Sequence, residues 1–372
     1  MNGKKIIEEV ISRACSLSIY DVGETIEGLA SRIGRKTSEI LKLNSNENFF
    51  ISLEFVRSIL RQVIEEVDPR IYPRDEFREL REAISRNTGV APENIIIGTG
   101  SDQLIDLVSR IFLKEGDEAI SIEPTFPIYE RCVRIQNAEY RAVPLKNDFS
   151  LDADAILASI TPKTKVIFLC SPNNPTANQL NHKDILRIAE NFDGLIAVDE
   201  AYADFSSSSL INVADSLENL IVFRTFSKVF GLAGLRVGYA VANRRLSSMI
   251  NERFQMPYSV SITALRAAVK MLENMDYIRE TINAIKSERE RLIRKLNEIS
   301  GVRAFPSETN FVLFQVNKSS LIVYRSLLNR GIIIRNIGRV LKFENCLRVT
   351  VAPRHYMDRF TKDLEEVLWE GA

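Results

Sequence analysis

The chain has 372 residues, 45% hydrophobic and 26% charged, which suits a soluble globular protein of two domains, or of one large domain and a smaller lobe. Its 49 basic and 49 acidic residues cancel, which argues against a nucleic-acid partner held by bulk charge and leaves room only for local basic pockets that take small anions. Cys15, Cys132, Cys170 and Cys346 are scattered, and His182 and His355 are the only histidines, so no disulfide framework, no metal site and little His-based catalysis are expected, and a reduced cytoplasmic setting fits. Met1 to Val10 lacks the apolar core of a signal peptide, and no stretch reaches the length of a membrane span.

In chain order, residues 1–18 read as a short amphipathic helix and Tyr20 to Arg35 as a less regular arm with Gly23, Gly28 and Gly34. Leu43-Asn44-Ser45-Asn46-Glu47-Asn48 is a run of turn and cap formers. Ile71-Tyr72-Pro73 leads into a helix over 75–86, with Phe77, Leu80 and Ile84 three and four apart. From Asn94 a βα alternation begins. Ile95 to Ile97 is a strand, and Gly98-Thr99-Gly100-Ser101-Asp102-Gln103 opens a helix whose N-terminal amides suit a phosphate. Glu118 to Ile122 is the next strand, followed by Pro124-Thr125-Phe126-Pro127-Ile128-Tyr129, in which Phe126 alone would pass for a core residue.

Lys165 to Leu169 is a further strand, ending in the dense turn Cys170-Ser171-Pro172-Asn173-Asn174-Pro175-Thr176. A helix over 181–192 leads to a strand from Gly194 to Val198, closed by Asp199-Glu200-Ala201-Tyr202. A carboxylate at the carboxyl end of such a strand sits where doubly wound sheets bind ligands. Ser206 to Ser209 reads as a plain serine loop. Leu220 to Phe223 is a buried strand, followed by Thr225, Ser227 and Lys228 and a loop with Gly231, Gly234, Arg236 and Gly238. An isolated Lys is usually a surface residue. This one has apolar, Gly-rich flanks, and a desolvated Lys becomes a nucleophile able to form a Schiff base.

Beyond residue 244 the alternation weakens. Residues 259–300 read as long helices, and their charged run from Glu288 to Lys295 reads as a solvated face. Short strands at Phe311 to Phe314, Ile332 to Ile334 and Leu347 to Val351 interleave with helices over 319–330 and 355–369. Arg335 and Arg348 lie in or beside these strands. Arg is usually a surface residue, but its planar fork suits carboxylate and phosphate.

Thr225-Phe226-Ser227-Lys228 with Gly-Leu-Ala-Gly-Leu-Arg236 resembles the lysine segment of the fold-type I aminotransferases that use pyridoxal 5′-phosphate, and is nearest to the histidinol-phosphate aminotransferases. Leu43 to Asn48, Tyr72-Pro73, Ser171 to Thr176 and Thr309-Asn310-Phe311 resemble further motifs of that family, in family order. Two departures stand out: Phe49-Phe50-Ile51 replaces Pro-Tyr-Gly, and Ala177 replaces a Gly, so the backbone at 177 is expected to avoid a glycine-only conformation.

The resemblance implies an α/β fold with a mostly parallel, doubly wound sheet in a large domain of residues 45–250. It implies a smaller α+β domain of 251–372, joined by the arm of 1–44. It assigns pyridoxal phosphate to Lys228 and its ring nitrogen to Asp199. Tyr202 and Asn174 fall to the ring oxygen, Phe126 to ring stacking, and Gly100, Ser101, Asp102, Thr225, Ser227 and Arg236 to the phosphate. Tyr72 would serve the phosphate of the neighbouring subunit's cofactor, and Tyr20 the neighbouring substrate, so a homodimer is implied. Arg348 would take an α-carboxylate and Arg335 the phosphate end of L-histidinol phosphate, with 2-oxoglutarate accepting the amine. Rival readings are an aromatic amino-acid aminotransferase, a threonine-phosphate decarboxylase, or a non-catalytic binding relative.

Overall fold

The computed structural model describes residues 2–15, 17, 19 and 22–369. Thirteen strands among the described residues are numbered in chain order. They are β1 (Leu41–Lys42), β2 (Ile95–Gly98), β3 (Glu118–Glu123), β4 (Glu139–Pro144), β5 (Thr164–Cys170), β6 (Leu195–Asp199), β7 (Leu220–Thr225) and β8 (Gly238–Val241), then β9 (Val302–Ala304), β10 (Phe311–Val316), β11 (Ile332–Ile333), β12 (Arg335–Val340) and β13 (Phe343–Thr350). Seven of them form the large sheet in the order β2-β8-β7-β6-β5-β3-β4. All its pairs are parallel except those of β8, which runs antiparallel to both neighbours. The fold is thus the α/β, mostly parallel architecture expected, with a second sheet, β12-β13-β10-β9, in the smaller domain.

The central strands are apolar along most of their length because helices cover both faces. Alternation sorts their side chains: Ile196 and Val198 enter one core cluster, Leu195 and Ala197 the other. This two-residue period carries on past the strand ends. It directs Asp199 and Thr225 to the same side of the sheet as Tyr129 and Phe168, and Glu200 and Arg224 to the opposite side.

Local chemistry sets the helix starts. Ser52 Oγ accepts from Phe55 N and Thr25 Oγ1 from Gly28 N, both N-caps. The second begins a helix at Ile26–Ile33, closed by Gly34 at φ 68°, where a less regular arm was expected. Thr25 and Gly34 are the cap signals that mark it.

The packing also corrects the expectation of a solvated charge run, and it joins helices far apart in the chain. Helix Ile262–Glu273 packs on helices Leu53–Glu66 and Asp75–Thr88, with Lys270 Nζ 2.7 Å from Glu66 and Arg266 paired to Glu79. Contacts between this helix and those two therefore run across residue 250. Within helix Met275–Glu298, Glu288 and Arg289 are buried, not solvated. Arg289 donates to the carbonyls of Phe205 and Thr309, and Glu288 pairs with Arg291. A charge run can turn inward where carbonyls and counter-charges await it.

Candidate active site

A cavity of about 590 Å³ opens at the carboxyl ends of β5, β6 and β7, against the start of helix Gly100–Phe112 and under β12 and β13. This is the crevice position expected of a doubly wound sheet. Among the residues singled out from sequence, Ser101, Asp102, Phe126, Asn174, Asp199, Tyr202, Thr225, Ser227, Lys228, Arg236, Arg335 and Arg348 line it. Gly100 stands directly behind Ser101. Tyr72 does not line this cavity: it is 72% exposed and stacks on Tyr258 at 4.7 Å. Tyr20 lies outside the described residues.

Lys228 follows β7 and is largely withdrawn from water. Its Nζ donates to the Ser45 carbonyl at 3.0 Å and lies 5.7 Å from the centre of the Tyr202 ring. Burial pushes the amine down to about 8, the charges of Arg348 and Arg236 add to that, and Asp102 and Glu47 oppose it. Lowering by desolvation is the shift that makes an amine nucleophilic and able to exchange protons near neutral pH.

Asp199 ends β6 and is 4% exposed. Its Oδ2 accepts from the Tyr129 hydroxyl at 2.8 Å and its Oδ1 from Ala201 N at 3.0 Å. Burial pushes its carboxyl up to about 6, against these two donors. Tyr129 is a partner of Asp199 that the sequence did not single out. Helix Ile128–Ile135 aims it at the carboxylate, and it is stacked on Phe168 at 5.5 Å.

The opposite end of the cavity is a cradle for an anion. Helix Gly100–Phe112 has no side-chain cap, so its first N–H groups remain for a ligand. Arg236 Nη2 is 3.1 Å from Asp102 Oδ2, and Arg236 Nη1 is 3.4 Å from Ser227 Oγ. The backbones are closely nested. A Cβ on Gly100 would come within 2.8 Å of Arg236, and one on Gly238 within 2.5 Å of Gly100 C and Ser101 N.

The roof comes from the small domain. Arg335 on β12 and Arg348 on β13 are direct cross-strand partners, and both face the cavity. Arg348 donates to Asn174 Oδ1 and, at 2.7 Å, to the Asn44 carbonyl. Asn174 leaves β5 in a turn held by Asn173, whose amide donates to the Pro124 carbonyl and to Thr176 Oγ1. At Ala177 the chain takes φ 64°, the left-handed conformation that a non-glycine residue was expected to avoid. Two backbone bonds hold it there, from Ala177 N to the Asn173 carbonyl and from Glu308 N to the Ala177 carbonyl, and the strain is about 1–2 kcal/mol.

Behind the site, on the other face of the sheet, Glu200 is fully buried and pairs with Arg224 at 3.0 Å, while Ser209 Oγ and Leu210 N donate to the same carboxylate. The serine loop thus closes a buried charge network that ties the ends of β6 and β7 together. Only the partners' meeting in space shows it. Among the described residues no group of three or more His, Cys, Asp or Glu is placed to hold a metal ion.

A half-buried lysine and a buried aspartate at neighbouring strand ends, facing an anion cradle under a pair of arginines from a second domain, define the class: the fold is that of the fold-type I pyridoxal-phosphate-dependent aminotransferases. The family described as aminotransferase class I and II matches residues 38–364, and the chain belongs to it. It is 36% identical over 348 residues to a histidinol-phosphate aminotransferase of Thermoanaerobacter sp. (strain X514), covering 93% of this chain and 98% of that one. It is 39% identical over 350 residues to the histidinol-phosphate aminotransferase of Methanosarcina mazei, covering 93% of each. The solved histidinol-phosphate aminotransferase of Sinorhizobium meliloti, in complex with pyridoxal-5′-phosphate, superposes with a TM-score of 0.86 at 27% identity over 97% of both chains.

Proposed function

We propose that this chain transfers the amino group of L-histidinol phosphate to 2-oxoglutarate, giving imidazole acetol phosphate and L-glutamate, with pyridoxal phosphate held at Lys228. The observation that carries the substrate is the Arg335–Arg348 pair. Like charges directly opposite on neighbouring strands are destabilising, and here both guanidiniums face the cavity that holds Lys228. They suit anionic substrates. Arg348 would take the carboxylate of glutamate or 2-oxoglutarate, and Arg335 the phosphate of histidinol phosphate. The relatives that match most of the chain and bear that enzyme's name support the same choice.

The residues present fit the cofactor. The uncapped helix start with Gly100, Ser101 and Asp102 would hold its phosphate, together with Thr225, Ser227 and Arg236. Phe126 would lie against its ring, and Asn174 and Tyr202 would face its ring oxygen. When bound, the group supplies an electron sink for breaking the C–H bond beside the amine. Asp199, kept from water and fixed by Tyr129 and Ala201, would keep the ring nitrogen protonated. Lys228, at about 8, would anchor the group and then carry a proton as general base and acid.

A homodimer belongs to this reading. Tyr72 lies outside its own chain's cavity, and Ile71, Tyr258 and Met256 near it are exposed as well, the apolar surface a second subunit would cover. No helix among the described residues is long and apolar enough to cross a membrane, and the described cysteines are all free thiols, which supports placement in the cytoplasm. The test is the visible spectrum of the pyridoxal-phosphate-loaded protein. Its band is expected to fall on adding L-histidinol phosphate at concentrations where L-phenylalanine has no effect, and to return with 2-oxoglutarate. A preferential response to phenylalanine, or release of carbon dioxide from a phosphorylated amino acid, would overturn the assignment.

A further inference from the structure

We infer that Asn46 is a positioning residue that aims the Tyr202 hydroxyl proton into the active-site cavity and ties that aim to the small domain. This rests on the cofactor reading above. Asn46 Nδ2 donates to Tyr202 Oη at 2.9 Å. With one lone pair of Tyr202 engaged by a donor, its own proton is left to donate elsewhere, and Tyr202 lines the cavity. The backbone of Asn46 is held by the small domain. Its N–H donates to Thr350 Oγ1 at 3.0 Å, and its carbonyl accepts from Asn310 Nδ2 at 2.9 Å. Thr350 Oγ1 in turn donates to the Leu43 carbonyl at 2.8 Å. Asn46 itself takes φ 55°, a left-handed conformation that Asn tolerates better than most residues. One loop residue thus links the strand carrying Arg348 to a tyrosine of the large domain, and a movement of the roof reaches the Tyr202 proton through a single side chain.

The test is a double-mutant cycle of Asn46→Gly and Tyr202→Phe in the pyridoxal-phosphate-loaded protein, reading the pH midpoint of the visible band. Gly accepts a positive φ, so the amide is deleted without backbone strain. A donor aimed into the cavity stabilises negative charge there. Asn46→Gly is therefore expected to raise the midpoint by about half a unit or more when Tyr202 is present, and by less than about 0.2 unit in the Tyr202→Phe background. Equal shifts in both backgrounds, or none in either, would overturn the proposal. Asn46→Asp keeps the shape but only accepts when ionised, so it should turn the Tyr202 proton away and raise the midpoint at least as far. A wild-type midpoint in that variant would mean that Tyr202 donates to residue 46, against the proposal. A cofactor-free readout separates this bond from the cofactor assignment. In fluorotyrosine-labelled protein the Tyr202 fluorine resonance, identified by its loss in Tyr202→Phe, should move in Asn46→Gly. An unmoved resonance overturns the bond, whereas failure of the wild-type protein to develop a visible band overturns the cofactor reading alone.

Discussion

Asp199 shows what the site costs the fold. Its carboxyl is pushed from 3.8 up to about 6, chiefly by burial. Between roughly pH 4 and 6 the folded state keeps a proton that the unfolded state releases, so stability falls as pH rises through that window, and the whole cost is present above it. Two units correspond to about 3 kcal/mol. Asn at this position would still accept from Tyr129 but would face Ala201 N with an amide donor, losing about 1 kcal/mol. Asp199→Asn is therefore expected to stabilise the cofactor-free protein by about 1–2 kcal/mol at pH 7.5, and to lose that advantage below pH 4. Urea melts at the two pH values measure this, and a variant no more stable at pH 7.5 would refute it. On the proposed reading, the same charge that weakens the empty fold would keep the cofactor's ring nitrogen protonated, which is the usual trade between stability and activity.

At the scale of elements, β8 and the start of helix Gly100–Phe112 are built for contact. Gly238 pairs with Gly98 on one side and Thr225 on the other, and its face meets the Gly100–Ser101 peptide. An added methyl at 238 would meet backbone at 2.5 Å, which cannot give way as a side-chain tip can. Gly238→Ala should cost about 2–3 kcal/mol and weaken pyridoxal-phosphate binding at least about tenfold, because the helix start must shift away from the cradle. Gly234→Ala is the matched control, since nothing lies within 4 Å of the point its added methyl would occupy, and it should stay within about 0.5 kcal/mol of wild type. Denaturant melts and equilibrium dialysis read the two effects. Equal behaviour of both variants would remove the close-approach argument. The glycine spacing here was legible in the sequence, as were the central strands, because continuous apolar runs and strand-end polar residues leave a local mark. Tyr129, Asn46, the inward turn of Arg289, and the left-handed Ala177 were not legible, because each depends on a partner far along the chain. Asn46 and Tyr202 are 156 residues apart.

On the scale of the whole molecule, the question is where Tyr72 works. Within one chain it lies outside the cavity, stacked on Tyr258 and largely exposed. The sequence could assign it to a neighbouring subunit only through resemblance, since no local pattern distinguishes a tyrosine that serves another chain from one on a surface. Subunit mixing decides the matter. Lys228→Ala should abolish turnover because no other lysine among the described residues lines the cavity, and Tyr72→Ala should lower it by weakening the hold on the cofactor. If Tyr72 reaches across a dimer, a hybrid of the two variants carries one site with both defects and one site with neither. Random reassortment of equal amounts makes half the dimers hybrids, so about a quarter of all sites should be intact. Activity should then rise towards about a quarter of wild type after unfolding and refolding the mixture together. Should Tyr72 act within its own chain, every Lys228-containing site in the mixture would still lack it, and the mixed sample would show no more than half the activity of Tyr72→Ala alone.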